Sequence, residues 1–375
     1  KEFEQSLIQQ KIVKNYSDEK SHLQEMILKA LRAFNSKRQV DMKLSDALKD
    51  IFILKERKLP ILHLKAIIKA KEIATKYERY LRLIEVIHEE IYYYVSNLPA
   101  EKIEEKYNNL QADLRTTMEV HHQCVSLKSI KTFLYKQVMS GDIIQDIDQI
   151  IAEVESFRGK VASNPLFSFH LSFNFYSCNF LILYYQKRFE ESMEYSTMLI
   201  QLYHEFPVFK KEHETIFQAN ICNHIEMMIQ ANKFEEAKKM MQNFKQDYQV
   251  NPSEKTKCNF IHSKLFIFIN SGLHFELPEI DKEFWQLVKG RESSFNLRYL
   301  INMYTNFSIA NFALGDYKRM DFYNGLLLAT TAQEKNKAYY KARVTELIIH
   351  FEMMNYEILD DMVRNIKREK DYKQF

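Results

Sequence analysis

The sequence predicts an all-α fold, an α-solenoid of about eight antiparallel helix pairs, and three observations carry that expectation. First, an apolar residue following a short polar turn recurs at Leu59, Ile103, Ile143, Phe189, Phe234, Phe275, Tyr317 and Tyr356, with gaps of 39 to 46 residues. A period of that length marks units that bury their apolar faces only by stacking on their neighbours. Second, glycine and proline number only six each in 375 residues, whereas sheets and their turns consume glycine freely. Third, 46% of the residues are hydrophobic and 27% charged, which supplies a continuous core and argues against disorder.

Residues 1–100 are expected to form helical pairs continuous with the stack, and 101–375 the repeats themselves. Residues 1–58 would supply one or two pairs. In 60–77, Ala66, Ala70, Ile73 and Tyr77 fall at helical spacing. Breaks are expected at Leu59-Pro60 and Asn97-Leu-Pro99. The stretch 101–138 runs on with no interruption, longer than one helix should be, and reads as an extended or kinked transition from a second helix to the next first one, before the break at Ser140-Gly141-Asp142. Over 166–176, Phe167, Phe169, Leu171, Phe173 and Phe175 alternate as in a strand. Phe169, Phe173, Tyr176, Phe180, Leu183 and Tyr184 also fit a helix, and a lone strand would have no partner. Helix is the reading. Further breaks fall at Phe206-Pro207, Leu277-Pro278 and Lys289-Gly290. Between them Phe234, Ala237, Met241, Phe244 and Tyr248 form a helical stripe, bounded by Asn232-Lys233 and Asn251-Pro252. Near the C-terminus a helix is expected to end at Gly315, with Asp316 capping the next.

Net charge is +3, and no stretch of a hundred residues concentrates it. That balance speaks against a nucleic-acid binder. The cysteines, Cys124, Cys178, Cys222 and Cys258, form no CxxC pair. They read as small apolar helix residues of a reducing compartment, so the expected location is cytoplasmic. The chain opens at Lys1 without methionine, which leaves a preceding signal peptide open. Val161 to Gln186 lacks charge, but Ser, Asn and His residues interrupt it and suit a buried helix better than a membrane span.

Sites for chemistry are sparse. His121 and Cys124 lie at i, i+3, but two ligands do not close a metal site. His213, Asn220 and His224 share a stripe with Phe217, either as a polar groove surface or as a satisfied contact between helices. Lys58, Lys65, Lys69, Lys76 and Arg79 form a basic stripe around Glu72, and Arg364, Lys367, Arg368 and Lys370 a basic tail; both read as solvated faces. No two glycines are closer than Gly315 and Gly325, so no phosphate loop or dinucleotide fingerprint can be built. HExxH and GxSxG are also missing. Acid pairs such as Asp146/Asp148, Glu190/Glu191, Glu235/Glu236 and Asp360/Asp361 suit the positive ends of helices. No catalytic residue, metal or cofactor is expected.

From Asn174 to Met362 the chain resembles tetratricopeptide repeats, in Tyr185-Gln-Lys-Arg-Phe189, Ala231-Asn-Lys-Phe234-Glu-Glu-Ala237, Leu314-Gly-Asp-Tyr317 and Met354-Asn-Tyr356. Ala237 matches the family's close-packing alanine, whereas Ser192, Pro278, Met320 and Leu359 do not. The period exceeds the family's, and the only tryptophan, Trp285, is out of place for its signature. As a whole the chain is also similar to bacterial helical-repeat proteins that carry no assigned activity. The family resemblance implies a right-handed superhelix whose first helices line a concave groove. Carried over, it places Cys178, Asn223, Lys264, Asn306 and Thr345 in that groove, with Asn174, Ala219, Phe260, Asn302 and Lys341 one helical turn earlier. Asn174, Asn223, Asn302 and Asn306, with Lys264 and Lys341, are the candidate contacts, since a carboxamide both donates to and accepts from a peptide main chain. The plain alternative is a solvated polar face.

The expected function is a non-enzymatic scaffold that binds a protein or peptide, with no specific nucleic acid and no membrane; its oligomeric state stays open. A second reading is a peptide-responsive bacterial regulator whose N-terminal helices act on a partner, although no helix-turn-helix supports it.

Overall fold

A computed structural model describes residues 16–35, 39–140, 143–162, 168–271, 276–332 and 337–368. Every regular element among them is helical, with no strand. The chain divides into two compact units, Lys1–Cys178 and Asn179–Phe375. The first holds α1 (Tyr16–Asn35), α2 (Val40–Glu56), α3 (Pro60–Lys76), α4 (Tyr80–Asn97), α5 (Ala100–Ser140), α6 (Ile147–Glu155), α7 (Arg158–Ala162) and the start of α8 (Phe169–Tyr185). The second continues with α9 (Phe189–Glu205), α10 (Pro207–Glu212), α11 (Glu214–Gln230), α12 (Phe234–Tyr248), α13 (Glu254–Ser271) and α14 (Leu277–Val288). It ends with α15 (Leu297–Ala313), α16 (Tyr317–Thr331), α17 (Lys337–Glu352) and α18 (Leu359–Arg368).

Helices pack on their neighbours in sequence. In the first unit α3 lies against α2 and α4, and α4 against α5. In the second, α11 contacts α9, α12 and α13; α13 contacts α14 and α15; and α16 contacts α15 and α17.

Among the described residues one turn recurs six times, and it explains the markers Phe189, Phe234, Tyr317 and Tyr356. Lys58, Glu78, Lys187, Asn232, Gly315 and Met354 all adopt positive φ, between 49° and 71°. In each case the next residue's N–H bonds the carbonyl five back, as in Leu59 to Leu54, Arg188 to Leu183 and Asn355 to His350. Each left-handed residue also bonds the carbonyl three back. This is the Schellman ending, which satisfies the orphan carbonyls of the outgoing helix. A new helical turn opens two residues after each left-handed residue, at Pro60, Tyr80, Phe189, Phe234, Tyr317 and Tyr356. As expected, Gly315 ends α15, and the Asp316 carboxylate accepts the Arg319 N–H at 3.0 Å.

The markers of the N-terminal half need correction. Ile103 lies inside α5, a single 41-residue helix, with none of these turns before it. Ile143 is 84% exposed and outside any helix. The turn at Glu78-Arg79-Tyr80 was missed, although its polar pair and aromatic match the others. Phe275, Gly141, Asp142, Pro165 and Phe167 lie outside the described residues. In α14 the packing position is Ile280, 1% exposed, because the helix opens at Leu277. The helical reading of 169–176 agrees with the structure, whereas 101–138, expected to be longer than one helix, lies within the single helix α5.

In α3 the buried stripe is His63, Ile67, Ala70 and Ala74, one position round from that expected. Sandwiched between α2 and α4, α3 buries a wider arc, so Ala66 and Ile73 still pack at the core's edge. The 234–248 stripe behaves as expected: Ala237, Met241, Phe244 and Tyr248 are buried. All four cysteines are free and buried.

Candidate functional site

A groove of about 1390 Å³ lies in the second unit, walled by α15 and α17 and floored by α16. Two successive hairpins make α15 and α17 run in the same direction. On α15, Arg298, Ile301, Asn302, Thr305, Ser308, Ile309 and Phe312 follow one face from first turn to last. Lys337, Lys341, Val344, Thr345 and Ile348 do the same on α17. The groove is therefore polarised. Its cations sit at the first turns of both helices, while Ile309, Phe312, Val344 and Ile348, each 42–48% exposed, crowd the opposite end. Among the described residues that line it there is no Asp or Glu.

The floor is held by buried polar groups. Asn324, 1% exposed, donates through Nδ2 to the Ala342 carbonyl at 3.0 Å and ties α16 to α17. Its Oδ1 has no hydrogen-bond partner, and neither does the hydroxyl of buried Ser308. Buried polar atoms are normally paired, so two such atoms beneath one groove are informative.

Of the residues proposed from sequence, the structure brings Asn302 and Lys341 into this groove, with Thr345 beside them. Asn306 is half-buried on α15 and not part of the lining. Asn223 is exposed on α11, and the Lys264 ammonium is held by Glu283 at 2.7 Å. Asn174 must be withdrawn. It is buried in the first unit, where Oδ1 accepts from Lys131 Nζ at 2.6 Å and Nδ2 donates to the Cys124 carbonyl at 3.3 Å. Its amide ties α5 to α8 and is not turned to a partner.

The other constellations are structural. His224 is buried, with Nδ1 2.7 Å from the Ser196 hydroxyl, and burial, helped by the Lys233 charge, pushes its pKa down to about 4. The ring is neutral at physiological pH and bridges α9 to α11. Cys124 is buried, and that burial, reinforced by the Glu78 charge, pushes its thiol up to about 12. It stays a thiol and is a poor metal ligand. Among the described residues no three His, Cys, Asp or Glu side chains gather as a metal site would require. No helix among them is long and apolar enough to cross a membrane. In the basic stripe Arg79 is bonded to Asp41 at 2.6 Å.

Glu78 was not anticipated. From its left-handed turn the carboxylate accepts the N–H groups of Phe169 (2.5 Å) and His170 (2.9 Å) and the hydroxyls of Ser168 (2.8 Å) and Tyr80 (2.9 Å). It caps α8 from 91 residues away in sequence, meeting the positive end of that helix. Burial raises its pKa, against the opposing pull of those four bonds. Only the recurrent turn pattern could have drawn attention to position 78; no local motif announces a cap so distant in sequence.

Comparison with known protein families, curated proteins and solved structures finds no match for this chain.

Proposed function

We propose that this chain is a tetratricopeptide-like helical-repeat solenoid that acts by binding a peptide or protein segment along the groove between α15 and α17, without catalysis. The observation that carries this reading is the convergence of Asn302, Lys341 and Thr345 on that groove, at positions where the resemblance to tetratricopeptide repeats implies groove contacts. Recurrent Schellman turns and helices packed on sequence neighbours support the repeat architecture. A preformed groove spares a ligand the cost of ordering its receptor. The cavity also exceeds the ~300–1,000 Å³ usual for small-molecule sites, which favours a chain segment over a metabolite.

The test is selection of peptides from a random display library on the immobilised full chain, followed by amide exchange of the complex. Bound peptides are expected to protect α15 and α17. Substituting Asn302→Ala should weaken them about fivefold, the worth of one hydrogen bond. Protection confined to other helices would refute the groove.

A further inference from the structure

We propose that the α15–α17 groove selects peptides with acidic side chains at one end and bulky apolar ones at the other, the acidic end lying at the helix N-termini. This rests on the reading of the groove as a peptide site and adds the chemistry and direction of its ligand.

Charge placement comes first. Arg298 occupies the first turn of α15, and Lys337 and Lys341 the first two turns of α17. A helix N-terminus carries positive partial charge, so cations there work against folding, and acids are the stabilising choice. Several helices follow that rule, α9 with Glu190 and Glu191 in its first turn, α12 with Glu235 and Glu236, and α14 with Glu279, whereas α16 opens on Lys318 and Arg319 behind Asp316. In α15 and α17 the first turns hold no acid at all. Lys337, Lys341 and two dipole ends thus converge on one end of a groove whose described lining residues include no carboxylate. Negative charge from outside would relieve that field.

The remainder of the groove sets the other half of the ligand. Phe312, Ile309, Val344 and Ile348 leave apolar surface open at the far end, which would bury large aliphatic or aromatic side chains. Between the two ends sit the orphaned Ser308 hydroxyl and Asn324 Oδ1. A peptide main chain brings donors and acceptors at regular spacing and can pair such atoms. A fatty carboxylate would match both ends and leave the middle unpaired, which is why a peptide is favoured.

Two fluorescent synthetic peptides decide it, sharing one leucine- and phenylalanine-rich half and differing only in a glutamate-rich or lysine-rich other half. Anisotropy with the full chain should show the glutamate peptide binding at least about tenfold tighter, with affinity falling as salt rises. The double variant K337E/K341E should invert that preference. Because it places acids where the helix dipole favours them, it should melt no lower than the parent. Loss of binding therefore cannot be put down to unfolding. Phe312→Ala should weaken the glutamate peptide about fivefold and leave its salt dependence unchanged.

Equal binding of the two peptides, an unaltered preference in K337E/K341E, or displacement by decanoate as effective as by the peptide would each overturn the proposal. If library peptides protect α15 and α17 but are not acidic, the groove stands and its charge selectivity falls. If none protects those helices, both fall.

Discussion

Glu78 in the first unit and Asp281 in the second are both carboxylates drawn out of water, and the fold answers each differently. Glu78 is met by neutral donors, two backbone N–H groups and two hydroxyls at the head of α8. Asp281, on α14, is met by the Arg319 guanidinium and the Tyr323 hydroxyl of α16, and Tyr323 in turn accepts from Trp285 Nε1 at 2.9 Å. The surrounding cores differ as well. Leu44, Ile51, Ile67, Leu83, Val86 and Leu114 make an aliphatic core across α2 to α5. Phe268, Phe284, Tyr304, Phe307 and Tyr323 fill the core around α13 to α16, with the Phe307 and Tyr323 rings stacked at 4.6 Å. Aliphatic packing sets little direction, so polar ties such as Glu78, Lys55–Glu89 and Lys71–Glu90 orient the first unit. Aromatic rings have preferred geometries and orient one another. There the carboxylate merely fastens a rim.

If that contrast is right, Glu78→Ala should be the costliest substitution here. It leaves the Phe169 and His170 N–H groups without an acceptor and takes away the acceptor shared by Ser168 and Tyr80, whose hydroxyls, 2.6 Å apart, keep only each other, a loss of about 3 kcal/mol in urea unfolding. Amide exchange at Phe169 and His170 should speed up first. The pH dependence has a definite sign. Burial raises the folded-state pKa of Glu78 above its unfolded value, so its contribution is complete below the unfolded pKa and declines as pH rises through the folded one. Glu78→Gln, which does not titrate, should therefore cost more at pH 4 than at pH 7. A cost that grew toward neutral pH would show that the four bonds outweigh burial.

Asp281→Ala should cost less, about 1–2 kcal/mol, because Arg319 is 41% exposed and regains water when its partner goes. A double-mutant cycle with Arg319→Met should return a coupling below about 1 kcal/mol. Burial raises the pKa of Asp281 against the pull of Arg319, so this residue too stabilises more in mild acid than at neutrality. A coupling as large as the Glu78 loss would erase the distinction between the units.

The sequence made the helices legible, but only part of their arrangement. Phe189, Phe234, Tyr317 and Tyr356 marked true helix openings because each follows a left-handed turn by two residues. Leu59 falls one residue early, in the turn itself, Ile103 lies inside a long helix, and Ile143 lies outside any helix. Asn302 and Lys341 were implied by the resemblance to tetratricopeptide repeats, and both lie on helices whose exposed faces share one groove. Asn174 was implied as well, but nothing in its own helix reveals that Lys131 and Cys124, on another helix, would consume its amide. Ser192 shows the same limit: it stands where the repeat calls for alanine, is fully buried, and donates its hydroxyl to the Phe180 carbonyl at 3.1 Å. Capping by Glu78 and pairing by Asn174 both join residues far apart in sequence, which periodicity cannot see.

The smallest effects test the recurrent turn itself. Gly315 sits at φ 71°, and a Cβ added there would touch nothing within 4 Å. Gly315→Ala therefore carries only the left-handed backbone penalty, about 1 kcal/mol of destabilisation. Gly325, inside α16, also has open space around a new Cβ, yet its backbone is helical, so Gly325→Ala should stabilise by about 0.8 kcal/mol. Met354 occupies the same turn position as Gly315, at φ 59°, and is 75% exposed. Met354→Gly gives up almost no packing and should gain about 0.5 kcal/mol, the relieved strain being partly offset by a freer unfolded chain. The four midpoints in urea should fall in the order Gly325→Ala, Met354→Gly, parent, Gly315→Ala. The same atoms are added at 315 and 325, so opposite signs can arise only from φ. Equal effects at both would mean that these turns are not held left-handed in solution, and the regularity shared by both units would lose its physical basis.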